Sequence, residues 1–179
     1  INSVKNLVDI IVVEMHAGSE YSIAPGSDYD SSPLPDEFQS LRINPASAIG
    51  YATIPRYGSE IEDYSWRLDR PKMWDRAIRQ FAIDEGADLV LVHHPHIIQG
   101  VELYQGKLIA HSLGNYIFDL NYPETYPSII LQSKANESGF IEFHIDPVYI
   151  DDYLTVPATG ELGNYILDYI AMRSKELDT

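Results

Sequence analysis

Half of the chain's six histidines occupy four consecutive positions, His93-His94-Pro95-His96, directly after the apolar run Leu89-Val90-Leu91-Val92. That run reads as a buried strand of an α/β sheet, and ligand chemistry in such sheets gathers beyond the carboxyl ends of the strands. Side chains alternate along an extended chain, which sends His94 and His96 to one side and His93 to the other. Pro95 biases His94 toward an extended backbone and fixes its own φ. Two neutral imidazoles on one face suit Zn, Fe, Mn or Ni. The competing reading is a turn whose histidines are merely solvated.

His16 is the second candidate. It follows another Ile/Val-rich run, and Gly18 allows a close approach by backbone or ligand. If the two strands are neighbours, His16, His94 and His96 converge at one sheet edge. Glu20 could bind substrate or orient a ligand from outside the coordination shell, or stand as a solvated loop charge. His111 and Asn115 bracket Ser112-Leu113-Gly114 after a third strand-like run. Asn115 could ligate a metal, donate to an anion or simply form a turn. Ser112 lacks the G-x-S-x-G elbow of a serine hydrolase. No residue is singled out as a catalytic acid, base or nucleophile.

The elements that must position these residues alternate between strand and helix. Leu7 to Glu14 predicts a strand covered on both faces. Residues 22–66 carry Ser, Pro, Gly, Tyr and Asp without a sustained period, a long loop excursion. Asp69 as cap, Pro71 in a first turn and Gly86 as terminator bound a helix. Its expected inward stripe is Trp74, Ile78 and Phe81 with Ala77 and Ala82. The strand 88–92 follows, then a hairpin pairing 101–104 with 107–110 around Gln105-Gly106. Strands are expected at Ser128 to Gln132 and Gly139 to Ile145. A last helix covers roughly Glu161 to Leu177, with Leu162, Ile166, Tyr169, Ile170 and Leu177 on one side. The order is α/β at the start and more antiparallel at the end, an α+β layered arrangement.

Composition narrows the class. At 179 residues the chain is one domain or part of one. Its net charge of −15 disfavours nucleic acid and anionic membranes as partners. No apolar run is long enough for a membrane span. Zero cysteines exclude thiol catalysis, Cys-ligated zinc and disulfides. The opening Ile1-Asn2-Ser3 has no signal-peptide pattern, and the first residue is not Met.

Three blocks resemble one family. VDIIVVEMHAGSEY (Val8 to Tyr21) is similar to a strand followed by H-W-G-x-E-Y. DEGADLVLVHHPHIIQGVELYQGKLIAHSLGNYIFD (Asp84 to Asp119) is similar to G-A-D-x-V-x-G-x-H-P-H-x-x-Q followed by S-L-G-N-F-x-F-D. The tail from Asp146 to Thr179 is similar to the closing segment. Together they resemble the CapA/PgsA family of capsule and poly-γ-glutamate biosynthesis proteins, a branch of the calcineurin-like metallophosphoesterases. The resemblance implies an αββα sandwich of which this chain would be the C-terminal half. It implies His16, His94 and His96 as metal ligands, with Glu20 and Asn115 on motif positions nearby. His93 falls at a tolerant position and is not carried over as a ligand. Ala17 stands where Trp is usual, Val92 where Gly is usual and His111 where Tyr is common.

The implied chemistry is a dinuclear hydrolase site holding two divalent ions (Mn, Fe or Zn). Such a site activates a bridging water against a phosphoester. Its carboxylate ligands would come from upstream blocks that this chain does not contain. The implied partners are an anionic polymer or phosphoester substrate and other capsule-synthesis proteins, in the cell envelope outside the cytoplasm. Two other readings stay open: a non-catalytic polymer-binding or assembly component, and a metal-dependent hydrolase of γ-glutamyl amides.

Overall fold

A computed structural model describes residues 1–18, 74–119 and 125–177. Glu20, the 22–66 excursion and the expected Asp69 and Pro71 helix start lie outside the described residues. Those described form an α+β fold, the class read from the sequence. Two sheets are present. The first is mixed, in the order β1 (Val12–His16), β2 (Leu89–His93), β4 (Lys107–Ala110), β3 (Val101–Tyr104). β1 runs parallel to β2, β2 parallel to β4, and β3 antiparallel to β4. The second is antiparallel: β5 (Pro127–Asn136), β6 (Gly139–Asp151), β7 (Leu154–Pro157). Helix α1 (Trp74–Asp84) precedes β2, and helix α2 (Gly160–Lys175) closes the described chain.

The first sheet is held by a cluster of Ala82, Ile83, Ala87, Val90, Val92 and Ile109, packed between α1 and the central strands. β2 reads as a continuous apolar run because it lies between two parallel partners under a helix. β1 departs from expectation. It begins at Val12, not Leu7, because residues 1–7 coil through successive turns, with Val4 and Lys5 amides donating to the Ile1 carbonyl. Within the described sheet β1 is an edge strand, alternating exposed and half-buried positions, and Leu7 is 78% exposed.

Helix α1 also departs from expectation, and in an instructive direction. Ile78 and Phe81, expected inward, are 47% and 56% exposed, whereas Arg79 is fully buried. The same inversion occurs across from it on β3, where Glu102 is buried and Leu103 is 71% exposed. Each inversion explains the other: Arg76 donates to the inward carboxylate, and buried Arg79 is linked to it through His111. Buried charges are tolerated only when paired and hydrogen-bonded.

The hairpin β3–β4 forms as predicted, with Gln105 (φ 51°) and Gly106 (φ 75°) both left-handed. That is the turn geometry whose twist suits a two-residue hairpin. β5 and β6 are longer than expected, and β7 was not anticipated. The turn before β7 places Asp152 (φ 45°) and Tyr153 (φ 70°) in the left-handed region without a glycine to advertise it.

The second core gathers Ile98, Tyr126, Ile129, Tyr149 and Ile150 beneath Ile166, Tyr169 and Ile170 of α2. The helix and its apolar face follow the sequence reading. Ile166 alone, with no exposed area, contributes about 1.5–3 kcal/mol by leaving water. α2 also reaches the first sheet. A Cβ on Gly100 would stand 2.7 Å from the Arg173 carbonyl, so the helix lies directly on this loop's backbone. Ser174 Oγ accepts from the Val101 amide at 2.9 Å, and Arg76 donates to the Leu177 carbonyl.

Candidate metal-binding pocket

The parallel register of β1 and β2 pairs His16 with His93, and the Ala17 amide continues the ladder to the His93 carbonyl at 3.1 Å. Both chains therefore leave the sheet at the same level. They open onto a cleft of about 510 Å³ lined by His16, His93, His94 and His96. The segment 113–116, with Phe118, and the residues Ile129 to Leu131 of β5 form its other walls. The cleft thus lies between the carboxyl end of the first sheet and the start of the second.

The path through the histidines is not extended. His94 has φ 104° and His96 φ 61°, both left-handed. Alternation therefore does not govern where these rings go, and His93 lines the same cleft as His94 and His96. Left-handed backbone at non-glycine residues costs on the order of 1–3 kcal/mol each and concentrates at functional sites. Pro95, fully buried between them, anchors the coil; its Cγ would lie 3.6 Å from a Cβ on Gly18. The coil brings His94 within 4.6 Å of His16 and 6.1 Å of His96, ring centre to ring centre. His93 turns toward the rim, with Nε2 3.8 Å from the Glu14 carboxylate. Val92, standing where Gly is usual, packs into the core.

His96 has an assignable tautomer. Asn115 Nδ2 donates to the Thr125 carbonyl at 3.3 Å, which turns the amide oxygen toward His96 Nδ1, 2.8 Å away. Nδ1 must then carry the proton of this bond. The Asn115 amide donates to Ser128 Oγ at 2.9 Å. Gly114 (φ 80°) makes this seam possible: a Cβ there would stand 2.6 Å from Ser128 Oγ. Ser112 Oγ accepts from the Gly114 amide at 3.3 Å, serving its own turn rather than a substrate.

His111, a sequence candidate, does not reach the cleft. It is fully buried beneath it. Its Nδ1 faces Arg79 Nη1 at 2.8 Å and its Nε2 faces Glu102 Oε2 at 2.9 Å. Since a guanidinium only donates, Nδ1 accepts and Nε2–H donates, which is the neutral ring. Burial pushes the His111 pKa down; the bond to Glu102 opposes this and the Arg79 and Arg76 charges reinforce it. Glu102 also receives Arg76, through Nη2 at 2.8 Å and Nε at 3.1 Å, and Gln80 Nε2 at 2.6 Å. Burial disfavours its charge, but bonds from His111, Arg76 and Gln80 outweigh that and hold the carboxyl at about 2. Burial lowers Arg79 to about 10, opposed by Asp75 and Glu102.

Sequence reasoning missed Arg76, Arg79, Gln80 and Glu102. The signal was there in part. Residues 76, 79 and 80 share a helix face at i, i+3 and i+4, opposite the apolar stripe, and a buried acid waits on the next hairpin. The apolar stripe simply outvoted it.

Comparison with known proteins matches residues 65–120 to the family described as bacterial capsule synthesis protein PGA_cap. The matched block contains α1, β2, the histidine coil, the hairpin and the Asn115 turn. The family resemblance read from the sequence is thus borne out. Relatives of PGA_cap type include the capsule biosynthesis protein CapA of Bacillus anthracis, 30% identical over 132 residues. That match takes in 69% of this chain and 32% of the relative. The PGA biosynthesis protein CapA of Bacillus subtilis (strain 168) is 34% identical over 89 residues, 50% of this chain and 22% of the relative. The chain thus spans about a third or less of the curated PGA_cap relatives it matches.

The donor chemistry of the cleft can be set against the metals expected of it. Among the described residues, no group of three or more His, Asp or Glu side chains is placed so that it could hold a metal ion by itself. What is present is a set of imidazoles from two neighbouring strand ends facing one cleft, with His96 Nδ1 held by the Asn115 amide oxygen.

Proposed function

We propose that this chain supplies the nitrogen-ligand side of a metal-dependent hydrolase centre in a capsule-synthesis protein. The observation that carries the reading is the Thr125–Asn115–His96 chain of hydrogen bonds. An outer hydrogen bond that fixes a ligand's tautomer and ring plane is the usual support of a metal-bound histidine. The strained coil that turns His94 and His96 toward His16 is the second support, since such strain persists only where packing enforces it.

His16, His94 and His96 would hold a borderline divalent ion such as Mn, Fe or Zn, with the other ligands supplied from outside the described residues. When bound, such an ion lowers the pKa of a water and polarises a phosphoryl oxygen. The chain's own contribution is to orient. Asn115 holds His96, Pro95 holds the coil, and β1–β2 register sets the distance between His16 and His94. The apolar wall of Leu113, Ile129 and Phe118 limits water at one side of the cleft. The substrate is a phosphoester or anionic polymer of the cell envelope, handled outside the cytoplasm. Among the described residues, no helix is long and apolar enough to cross a membrane.

Elemental analysis of protein purified without chelator tests the reading. Bound Mn, Fe or Zn is expected, together with turnover of a generic phosphodiester. The double variant His94→Ala/His96→Ala should lose both. Absence of metal before and after reloading would overturn it. Metal uptake with capsule production unaffected by the double variant would favour an assembly role instead.

A further inference from the structure

We propose that Arg79 is a positioning residue that sets where His16 stands, holding the Ala17–Gly18 turn from below through a buried link to His111 and Glu102. The inference rests on His16 belonging to the proposed site. Three observations support it.

First, Arg79 is fully buried, yet its guanidinium spans two elements. Nη1 donates to His111 Nδ1 at 2.8 Å, and Nη2 reaches the Ala17 carbonyl at 3.5 Å. Ala17 follows His16 directly. A planar fork can hold two acceptors in a fixed relation, which a lysine cannot.

Second, Gly18 is shaped to receive this group. A Cβ at Gly18 would lie 3.0 Å from Arg79 Nη2, 3.6 Å from Pro95 Cγ and 3.7 Å from Asp75 Oδ2. The turn that carries His16 and the coil that carries His94 and His96 are thus both packed at one point, with Arg79 beneath. Gly18 also has φ 108°, where any other residue would be strained.

Third, His111 is built into the link as a neutral relay. One nitrogen accepts from Arg79 and the other donates to Glu102, which Arg76 and Gln80 hold in turn. Glutamine offers the same pair, an oxygen acceptor and an amide donor. Phenylalanine offers neither.

The test compares wild type with Arg79→Lys, Arg79→Met, His111→Gln and His111→Phe. Three readouts are taken: amide hydrogen exchange at residues 13–18, the NMR signals of the His16 ring, and zinc affinity by calorimetry. Arg79→Lys is expected to raise exchange at Ala17 and Gly18 about tenfold while Val13 and Met15 keep their protection. The His16 ring signals should shift, and zinc affinity should fall about 10–100-fold. His111→Gln should stay within about twofold of wild type, and His111→Phe should follow Arg79→Lys. If Arg79→Met fails to fold, Arg79→Lys and the His111 pair still decide. Unchanged exchange and unchanged His16 signals in Arg79→Lys would overturn the proposal, as would uniform loss of protection along all of β1. Should wild type take up no zinc, the metal reading fails, and exchange with the His16 signals alone judge the positioning role.

Discussion

His96 and His111 are the same residue type fifteen positions apart, and the fold puts them to opposite uses. His96 stands half-buried on a left-handed backbone and lines the cleft, with Nδ1 held by Asn115. His111 is fully buried, with both nitrogens engaged by Arg79 and Glu102. The first costs the fold energy and offers chemistry. The second offers no chemistry to a ligand and belongs to the frame. Burial and the chemistry of the fixed partners, rather than the imidazole itself, set the two apart.

Breaking the buried side should have the largest effect. Glu102→Ala leaves Arg76, Gln80 and His111 without their shared acceptor and buried Arg79 without its nearby countercharge, and should destabilise the fold by about 3–5 kcal/mol. Urea unfolding measures it; a loss under about 1 kcal/mol would show the cluster to be looser than its distances. The open side should respond in the opposite direction. His94→Gly relieves a left-handed backbone at φ 104° and should raise stability by about 1 kcal/mol, while removing a proposed ligand. A stability gain paired with loss of metal uptake is the expected signature, and a loss of stability would contradict it.

The smallest effect is in pH. His111 binds a proton more readily in the unfolded chain than in the fold, because its folded pKa is depressed from 6.5. Its contribution is therefore complete above 6.5 and declines as pH falls below it. Glu102 adds a second decline between its ordinary 4.5 and about 2. Both terms have the same sign, so acid weakens the fold in two steps. His111→Gln should flatten the first step only, as read by thermal unfolding between pH 7 and pH 4.

The two regions were not equally legible. The histidine cleft was announced by residue type at strand ends, because strand ends follow from apolar runs and the cluster is dense. Its geometry was not, since alternation assumes an extended chain and His94 and His96 are left-handed. The β3–β4 hairpin was readable from Gln105-Gly106, but β7 was hidden because Asp152-Tyr153 adopts a turn usually signalled by glycine. The buried cluster was read inside out. Ile78 and Phe81 satisfy every criterion for an inward stripe, and only the bonds of Arg76 to Glu102, 26 residues away, and of Arg79 to His111, 32 residues away, reverse the helix. Periodicity sees one element at a time; that reversal belongs to two.

The seat of α2 on Gly100 has a consequence for the order of events in a growing chain. The bonds that tie this helix to the first sheet join Val101 to Ser174 and Arg76 to Leu177, separations of 73 and 101 residues. Contacts so distant along the chain form late and slowly. During synthesis the histidine coil emerges long before the helix that braces the loop behind it. Until residues 173–177 leave the ribosome the coil lacks that brace, so the nascent chain should acquire a settled pocket only after α2 has emerged.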